Sequence, residues 1–422
     1  MLLFLLGEAL LALGTGIAAT LLNLHWQRLG FPPAAIGALS ALESGLVAAL
    51  AIPLGALADR LGRRRVLLAS TLLIGSALAL STLPWWPAVA AARFPSALGW
   101  ASLLTVEFPV ALRFGRGPGD HVRILSRVMG TFTSFLGAGT LLGGLLPAWT
   151  GGAAWASSPY QPSLLLASLL VGSASAARAL MRVPEAEPED SLARPRSAAH
   201  KAQGDEARAG APRRGSGGQA RPVADASLVR LAAPTLLAGL AFAPAGPMLN
   251  LILVERYASP PTYVGLVMAV QSFAAAAGAL LGPRVLARRG EVQAVVHGLV
   301  LCGALGAALA APIGLPAFAL VHWLRIALTA VSLNVADGRI FSAVPDARRA
   351  LYAGCRTVGF QLGQTGGSLL TGYLLDLGTP GTPFLLAGAA QVGYAVYYLR
   401  AVLPLLHGDL PRAGPARAAV AK

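Results

Sequence analysis

The chain has 422 residues, and only 12% of them are Asp, Glu, Lys or Arg, against about 25% in an average soluble domain. With 55% apolar residues and a mean hydropathy of +0.64, this composition excludes a water-soluble fold and indicates a protein of the lipid bilayer. The net charge of +15 does not indicate a nucleic-acid partner, because the basic residues lie in short clusters between apolar runs. The two cysteines, Cys302 and Cys355, indicate neither a disulfide framework nor a metal site.

The predicted elements are twelve apolar runs of about 20 residues, the length of helix that crosses a hydrocarbon core of about 30 Å. The runs are continuous, whereas a membrane strand would alternate over about ten residues, so the predicted fold class is an all-α membrane protein with twelve transmembrane helices. The first run lacks a basic region and a cleavage site, which favours a retained helix over a signal peptide. The twelve spans are 2–24, 34–58, 65–83, 88–112, 124–147, 161–181, 228–253, 262–287, 291–312, 314–337, 351–375 and 381–404.

Basic residues orient these spans, because the cytoplasmic loops of membrane proteins carry an excess of Lys and Arg. Of the 33 basic residues, all but four lie in or beside the loops that follow even-numbered spans, or in the C-terminal tail. The loops on the other side hold Arg28 and Arg256, and Arg93 and Arg325 lie inside spans. We therefore expect a multi-pass protein of a bacterial cell membrane with both termini in the cytoplasm.

One long connection separates two groups of six spans. It begins with acidic residues and turns basic, with many Gly, Ala and Pro residues, a composition that cannot bury a core and predicts a disordered linker. The predicted domains are an N-terminal six-helix bundle at 1–181, a cytoplasmic linker at 182–227, a C-terminal six-helix bundle at 228–404 and a cytoplasmic tail at 405–422.

The two groups of six spans are copies of one another in the same direction. LNL at 22–24 recurs at 249–251, and PPAAIG at 32–37 recurs as PPTYVG at 260–265. Spaced Arg and Gly residues of the fifth span recur in the eleventh, and the offset stays between 227 and 229 residues throughout. Six helices per copy preserve direction, so the halves face each other about an axis along the membrane normal. This architecture is typical of transporters whose binding site lies between the repeats at the midplane.

The loop after the second span carries the most specific motif. It reads GALADRLGRRR at 55–65 and resembles the G-x-L-x-D-R-x-G-R-R/K signature of the major facilitator superfamily. The resemblance covers essentially the whole chain and implies the MFS fold, with two parallel six-helix repeats, and solute transport by alternating access. The carboxylate of this loop can accept charge-assisted hydrogen bonds from nearby arginines, a latch that would hold one conformation. We assign to this gating loop Gly55, Asp59, Arg60, Gly62, Arg63 and Arg64.

Two further stretches are similar to elements of the same family, with departures. RFPSALG at 93–99 keeps the Arg and the last Gly of R-x-x-Q-G-x-G. GTLLGG at 139–144 is similar to the antiporter element G-P-x-x-G-G, with Thr140 in the place of the proline. We expect efflux, of a drug or metabolite in exchange for protons, and the missing proline leaves import open as the alternative.

Ionisable residues inside spans are costly and usually mark a cavity or a functional site. Glu43, near the middle of the second span, is the first candidate for the carboxylate that carries a proton, and Glu107 of the fourth span is the second. A low dielectric favours the neutral carboxyl, whereas water or an arginine favours the charged form, so rocking of the halves would load and release a proton. The alternative is a structural Glu–Arg pair inside one bundle. Glu8 lies near a helix end, where ordinary placement at the membrane interface suffices.

The predicted substrate site combines amides and cations. Arg93 and Arg325 lie at similar depths in the fourth and tenth spans, and they either clamp an anionic substrate or each neutralise a carboxylate of their own bundle. Asn23 and Asn250 are related by the repeat, and paired amides recognise a solute without a charge. A glutamine of the eighth span and a histidine of the tenth complete the set, with interhelical packing as their alternative role. The predicted substrate-binding residues are Asn23, Asn250, Arg93, Arg325, Gln271 and His322.

These observations predict a secondary active transporter of a small solute and not an enzyme, with protons as the coupling ion. The sequence has no phosphate-binding loop and no dense cluster of metal ligands, which argues against ATP-driven pumping and against a metal or other cofactor. We expect a monomer in the lipid bilayer, without catalytic residues. The alternatives are an importer, as a symporter or a uniporter, and a membrane sensor or partner subunit that keeps the fold without transporting.

Overall fold

The structure, a computed structural model, describes residues 1–115, 118–181 and 225–407 as helices joined by short turns, without a strand in these ranges. The side chains at 55, 56, 59, 118–122, 225, 226, 346, 347 and 350 are outside this description, as are most of the predicted linker and tail. The helices are α1 (Leu2–Arg28), α2 (Pro33–Leu61), α3 (Arg63–Leu80), α4 (Trp86–Leu112), α5 (Pro118–Thr150), α6 (Gln161–Ala179), α7 (Asp225–Ala232), α8 (Pro234–Phe242), α9 (Leu249–Tyr257), α10 (Pro261–Arg289), α11 (Gly298–Ala310), α12 (Leu315–Ala343), α13 (Asp346–Asp376), α14 (Thr382–Tyr397) and α15 (Leu403–His407), with π-helical turns at Gln293–His297 and Tyr398–Val402.

The fold is an all-α membrane protein. Eight helices of the described ranges are long and apolar enough to cross a bilayer, namely α1, α2, α4, α5, α6, α10, α12 and α11 with its preceding π-helical turn. The four other predicted spans are also helical: α3, α13, the α7–α9 segment, and α14 with α15. α3 and α13 begin with arginine-containing turns, and these charges lower the mean hydropathy of both helices.

The seventh predicted span, expected as one helix at 228–253, is interrupted, so that prediction is wrong. The chain leaves the helix after Phe242 and re-enters it at Leu249. Pro244, Gly246 and Pro247 occupy the gap, because proline has no N–H to continue the helical ladder. The break leaves backbone carbonyls free to accept other hydrogen bonds, as at the discontinuous helices of other transporters.

The two halves pack against each other through α2 with α13 and through α5 with α10. Glycines make both contacts possible. A Cβ added to Gly37 would lie 2.9 Å from the Cα of Gly372, and one added to Gly265 would lie 2.9 Å from the Cα of Gly144. Gly37 and Gly144 are offset by 228 residues from Gly265 and Gly372 respectively, so the two contacts are equivalent under the repeat.

Six hydrogen bonds join the halves at one end of the bundle. This end carries the turn between α1 and α2 and the end of α9, and we call it the closed end, defined by Asn23, Gln27, Asn250 and Glu255. The glycine contacts lie on the same side, because α2 and α10 begin there and α5 and α13 finish there.

Candidate functional site

Two asparagines join the halves at the closed end. Asn23 Nδ2 donates hydrogen bonds to Asn250 Oδ1 at 2.9 Å and to Pro247 O, in the break of the seventh span, at 2.6 Å. Asn250 Nδ2 donates to the carbonyl oxygens of Ala19 and Thr20 at 2.8 and 3.1 Å. Both side chains are buried. In this conformation each amide therefore binds the opposite half.

A second contact of the same kind lies one helical turn closer to the loops. Gln27 Nε2 donates a hydrogen bond to Glu255 Oε1, and these residues are offset by 228 positions, as equivalent positions of the two repeats are. Thr262 of α10 adds a hydrogen bond to Gly144 O at 3.3 Å. The closed end is thus held by polar contacts that separate without leaving a buried charge.

The predicted proton carrier Glu43 pairs with Arg93 inside the first half. Arg93 Nη1 donates to Glu43 Oε2, and Ser96 Oγ donates to Glu43 Oε1, both at 2.6 Å. Arg93 also donates to Ser81 Oγ, and its guanidinium carbon lies 5.1 Å from the ring centroid of Trp26. The pair borders a cavity of 90 Å³ among α1, α2, α3, α4 and α6. Glu43 is therefore neutralised within its own bundle, where it remains next to open space.

The second half repeats this arrangement with uncharged residues. Gln271 is offset by 228 positions from Glu43, and His322 by 229 from Arg93. Gln271 Oε1 lies 2.7 Å from His322 Nε2, and Gln271 Nε2 donates to Ala245 O at 2.9 Å. The ion pair of the first half thus corresponds to a glutamine–histidine pair in the second.

Arg325 of the second half is equivalent to Ser96 of the first half, again at an offset of 229 residues. Its Nε and Nη2 atoms donate to Gln391 Oε1 at 3.1 and 2.9 Å, and its guanidinium carbon lies 6.0 Å from the ring centroid of Phe384. The residue is 1% exposed, and no carboxylate in the described part of the chain forms an ion pair with it. It borders a cavity of 60 Å³ whose walls include Phe242, Thr329 and Phe360.

A separate cluster of buried charges surrounds Glu107. Arg178 of α6 forms an ion pair with Glu8 of α1, and neither side chain is exposed. Glu107 of α4 lies beside Glu8, and Glu8 Oε2 and Glu107 Oε1 are buried without a hydrogen-bond partner among the described residues. Glu8 is therefore a core residue and not the interface residue expected from its place near a helix end. Sequence reasoning missed Arg178, because its position late in the sixth span gives no sign of its partner.

The predicted gating loop forms the turn between α2 and α3. Gly62 has a φ of +88°, in the left-handed region that glycine adopts without steric cost. Arg64 Nη2 donates to Ala179 O, at the end of α6, at 2.6 Å, and Arg60 is exposed. This loop therefore contacts α6 in addition to α3.

Two members of the gating loop, Gly55 and Asp59, have side chains outside the described residues, so their predicted contacts stay a prediction. The described arginines Arg63 and Arg64 border an open groove of 780 Å³ together with Arg65 and Arg113. The groove is basic and lies at the end of the bundle away from the closed end.

Comparisons with known proteins agree with the two-fold repeat. A family model described as Major Facilitator Superfamily matches residues 4–233 and again residues 231–421. No curated protein matches the chain. Among solved structures, the chain is similar to a bacterial homolog of the human lysosomal transporter Spinster in an inward-facing and unoccupied conformation, with a TM-score of 0.68 and 14% identity over 97% of this chain and 96% of that one.

Two other solved structures share the fold. The nucleoside transporter NupG has a TM-score of 0.67 and 14% identity, over 95% of this chain and 99% of that one. A D-xylose-proton symporter has a TM-score of 0.69 and 13% identity, over 95% and 96% of the two chains. At identities this low, the structural similarity establishes a common fold and nothing further.

Proposed function

Because the chain belongs to the Major Facilitator Superfamily, we propose that it is a secondary active transporter that moves a small solute across the membrane by alternating access. The closed end is the observation that carries this proposal. Six hydrogen bonds join the halves on one side of the cavities beside Glu43 and Arg325. Opening this end while the opposite end closes would turn those cavities from one face of the membrane to the other.

The closed end is proposed to face the outside of a bacterial cell, with the protein acting as a monomer. The clusters of basic residues support cytoplasmic termini by the positive-inside rule, and the described conformation would then open to the cytoplasm. Reporter fusions at Lys422 and near Ser158 test this orientation. A reporter at Lys422 that is active outside the cell would reverse it.

Protons are the proposed coupling ion, and the Glu8–Glu107–Arg178 cluster is the proposed carrier. With both carboxyl groups ionised, the cluster would hold a net negative charge among apolar side chains, which is costly. One proton shared by the two carboxyl groups removes that charge. Glu43 is the second candidate, because Arg93 already balances its charge. This order reverses the one expected from the sequence.

Efflux is the proposed direction, on the similarity of residues 139–144 to the antiporter element. Import is the second candidate, because Thr140 replaces the proline of that element and a proton symporter is among the proteins of similar fold. Both directions use the same rocking motion, and they differ in which face releases the solute.

A transport screen in inverted membrane vesicles tests the function. We expect at least one small solute to accumulate or leave in a manner that depends on an imposed pH gradient, and the sign of that dependence distinguishes antiport from symport. Vesicles from cells that lack the protein are the control. If every solute that binds the purified protein remains unmoved, the protein is a sensor or partner subunit with the fold of a transporter.

A further inference from the structure

We propose that the transported solute is an organic anion and that its carboxylate, or a comparable anionic group, pairs with Arg325. The inference rests on the proposed function and names the substrate class of the cavity in the second half. Its basis is a difference in charge between the two repeats.

Equivalent positions of the repeats have different net charges. The first set is Glu43, Arg93 and Ser96, and the second is Gln271, His322 and Arg325. The first set is neutral, because its carboxylate and its guanidinium pair at 2.6 Å. The second set carries one positive charge, because a glutamine replaces the carboxylate and a guanidinium stays protonated in a protein.

The second half offers Arg325 no counter-ion among the described residues. Asp337 and Glu291 pair with other arginines, Glu255 accepts a hydrogen bond at the closed end, and Asp376 ends α13 on that same side. The hydrogen-bonding partner of the guanidinium is the neutral amide of Gln391. A buried charge without a counter-ion is costly, and inside a membrane such a group faces a substrate or ion pathway. A bound anion supplies the missing charge.

The cavity beside Arg325 suits a ligand with an anionic head and an apolar body. Its 60 Å³ is enough for a few water molecules or a small anion. Thr329 and Gln391 provide polar atoms next to the guanidinium, linked by a hydrogen bond of 2.8 Å. On the other side, the rings of Phe242 and Phe360 meet with centroids 5.5 Å apart. A larger apolar body requires these rings to move.

The position of the aromatic rings suits such a movement. Phe242 is the last residue of α8, directly before the break of the seventh span, and it is 39% exposed. Phe360 lies on α13, which packs across the interface against α2. Rocking of the halves therefore acts on both walls of the cavity. A cation in this cavity would be repelled by Arg325, and a neutral solute would leave the buried charge unpaired.

Isosteric pairs of carboxylates and amides test the proposal on the purified full-length protein. The probes are sodium benzoate and sodium phenylacetate, with benzamide and phenylacetamide as uncharged counterparts, at constant ionic strength. We expect each carboxylate at a saturating concentration to raise the apparent Tm by about 2 to 4 °C, and the amides to leave it unchanged. Arg325→Gln removes the charge, and Gln391→Glu supplies an internal carboxylate beside it, so both variants should lose the response. Arg339→Gln, on the same helix with an exposed side chain, should keep it.

Three results would overturn the proposal: an equal response to the amides, no response to either carboxylate, or a full response in Arg325→Gln or Gln391→Glu. The Gln391→Glu variant retains the arginine and gives the same answer if Arg325→Gln does not fold. Flux in proteoliposomes separates this proposal from the proposed function. Carboxylate binding through Arg325 without flux would refute transport alone, whereas flux of neutral solutes that is unaffected by Gln391→Glu would refute the anion site alone.

Discussion

Asn23 donates a hydrogen bond to Asn250 across the interface between the halves, at 2.9 Å, and the two residues occupy equivalent positions of the repeat. Each amide also binds backbone carbonyls of the opposite half. The contact is reciprocal in the way that a two-fold relation between the halves requires. Their predicted role in substrate recognition stays a prediction, and it would apply when the closed end separates and frees the amides.

Removing this contact should open the closed end. We expect Asn250→Ala to destabilise the described conformation by about 1 to 3 kcal/mol, since it leaves buried polar groups of the first half without partners. Spin labels at Arg28 and Tyr263, one on each half near this end, should report longer distances in the variant. Asn334→Ala is the control, because that exposed amide bonds within its own helix. Identical distance distributions in Asn250→Ala and the unmodified protein would show that the amides do not hold the end closed.

Glycine contacts between the halves should resist even a single methyl group. A Cβ at Gly144 would lie 2.7 Å from Pro261 O, and such overpacking costs about 1 to 3 kcal/mol. We expect Gly144→Ala to lower the apparent Tm and the transport rate. Gly130→Ala, on the same helix with no atom within 4 Å of the added Cβ, should be neutral or slightly stabilising. Equal effects of the two substitutions would contradict a close approach of α5 and α10.

Proton coupling should depend on the carboxyl pair beside Arg178. We expect Glu107→Gln to abolish the acceleration of transport by a pH gradient while preserving counterflow exchange, because exchange needs rocking without net proton release. Asp376→Asn, at an exposed carboxylate, should change neither. Unchanged gradient dependence in Glu107→Gln, together with its loss in Glu43→Gln, would assign the proton to the Glu43–Arg93 pair instead.

Substitutions in the gating loop should affect flux and spare binding. Asp59→Asn, Arg63→Ala and Arg64→Ala alter a loop that contacts α6 and lies away from both cavities. We expect each to reduce the transport rate with an unchanged Kd for the solute, and Arg28→Ala, at the opposite end, to change neither. An equal loss of binding and flux, at normal abundance in the membrane, would place the loop in the substrate site.

The sequence predicts the fold well because its signals repeat over the whole chain. Apolar runs of bilayer length and an offset that stays between 227 and 229 residues predict the same repeat of two bundles, and a family match over residues 4–233 and again 231–421 confirms the repeat. The break in the seventh span is the exception. Its apolar content hides the interruption, although Pro244 and Pro247 mark it locally.

The charged sites are predictable only in part, because a sequence gives the depth of a residue and not its partner. Depth alone suggests that Arg93 and Arg325 are equivalent, whereas the offset of 229 residues relates Arg93 to His322 and Ser96 to Arg325. That register is a signal in the sequence that could have found the difference in charge between the halves. The pairing of Glu8 with Arg178 has no such signal, since it depends on how α1 and α6 pack.

Cross-linking of the closed end tests alternating access most directly. Cysteines at Gln27 and Glu255, in a protein whose Cys302 and Cys355 are replaced by serine, would lie within reach of a short bifunctional thiol reagent, because the native side chains form a hydrogen bond. Proteoliposomes that carry the cross-linked protein should show no solute flux. If the reagent attaches through disulfides, reducing those disulfides should restore the flux. Each variant with a single cysteine should transport normally after the same treatment. Transport at the normal rate by fully cross-linked protein would contradict alternating access through the closed end.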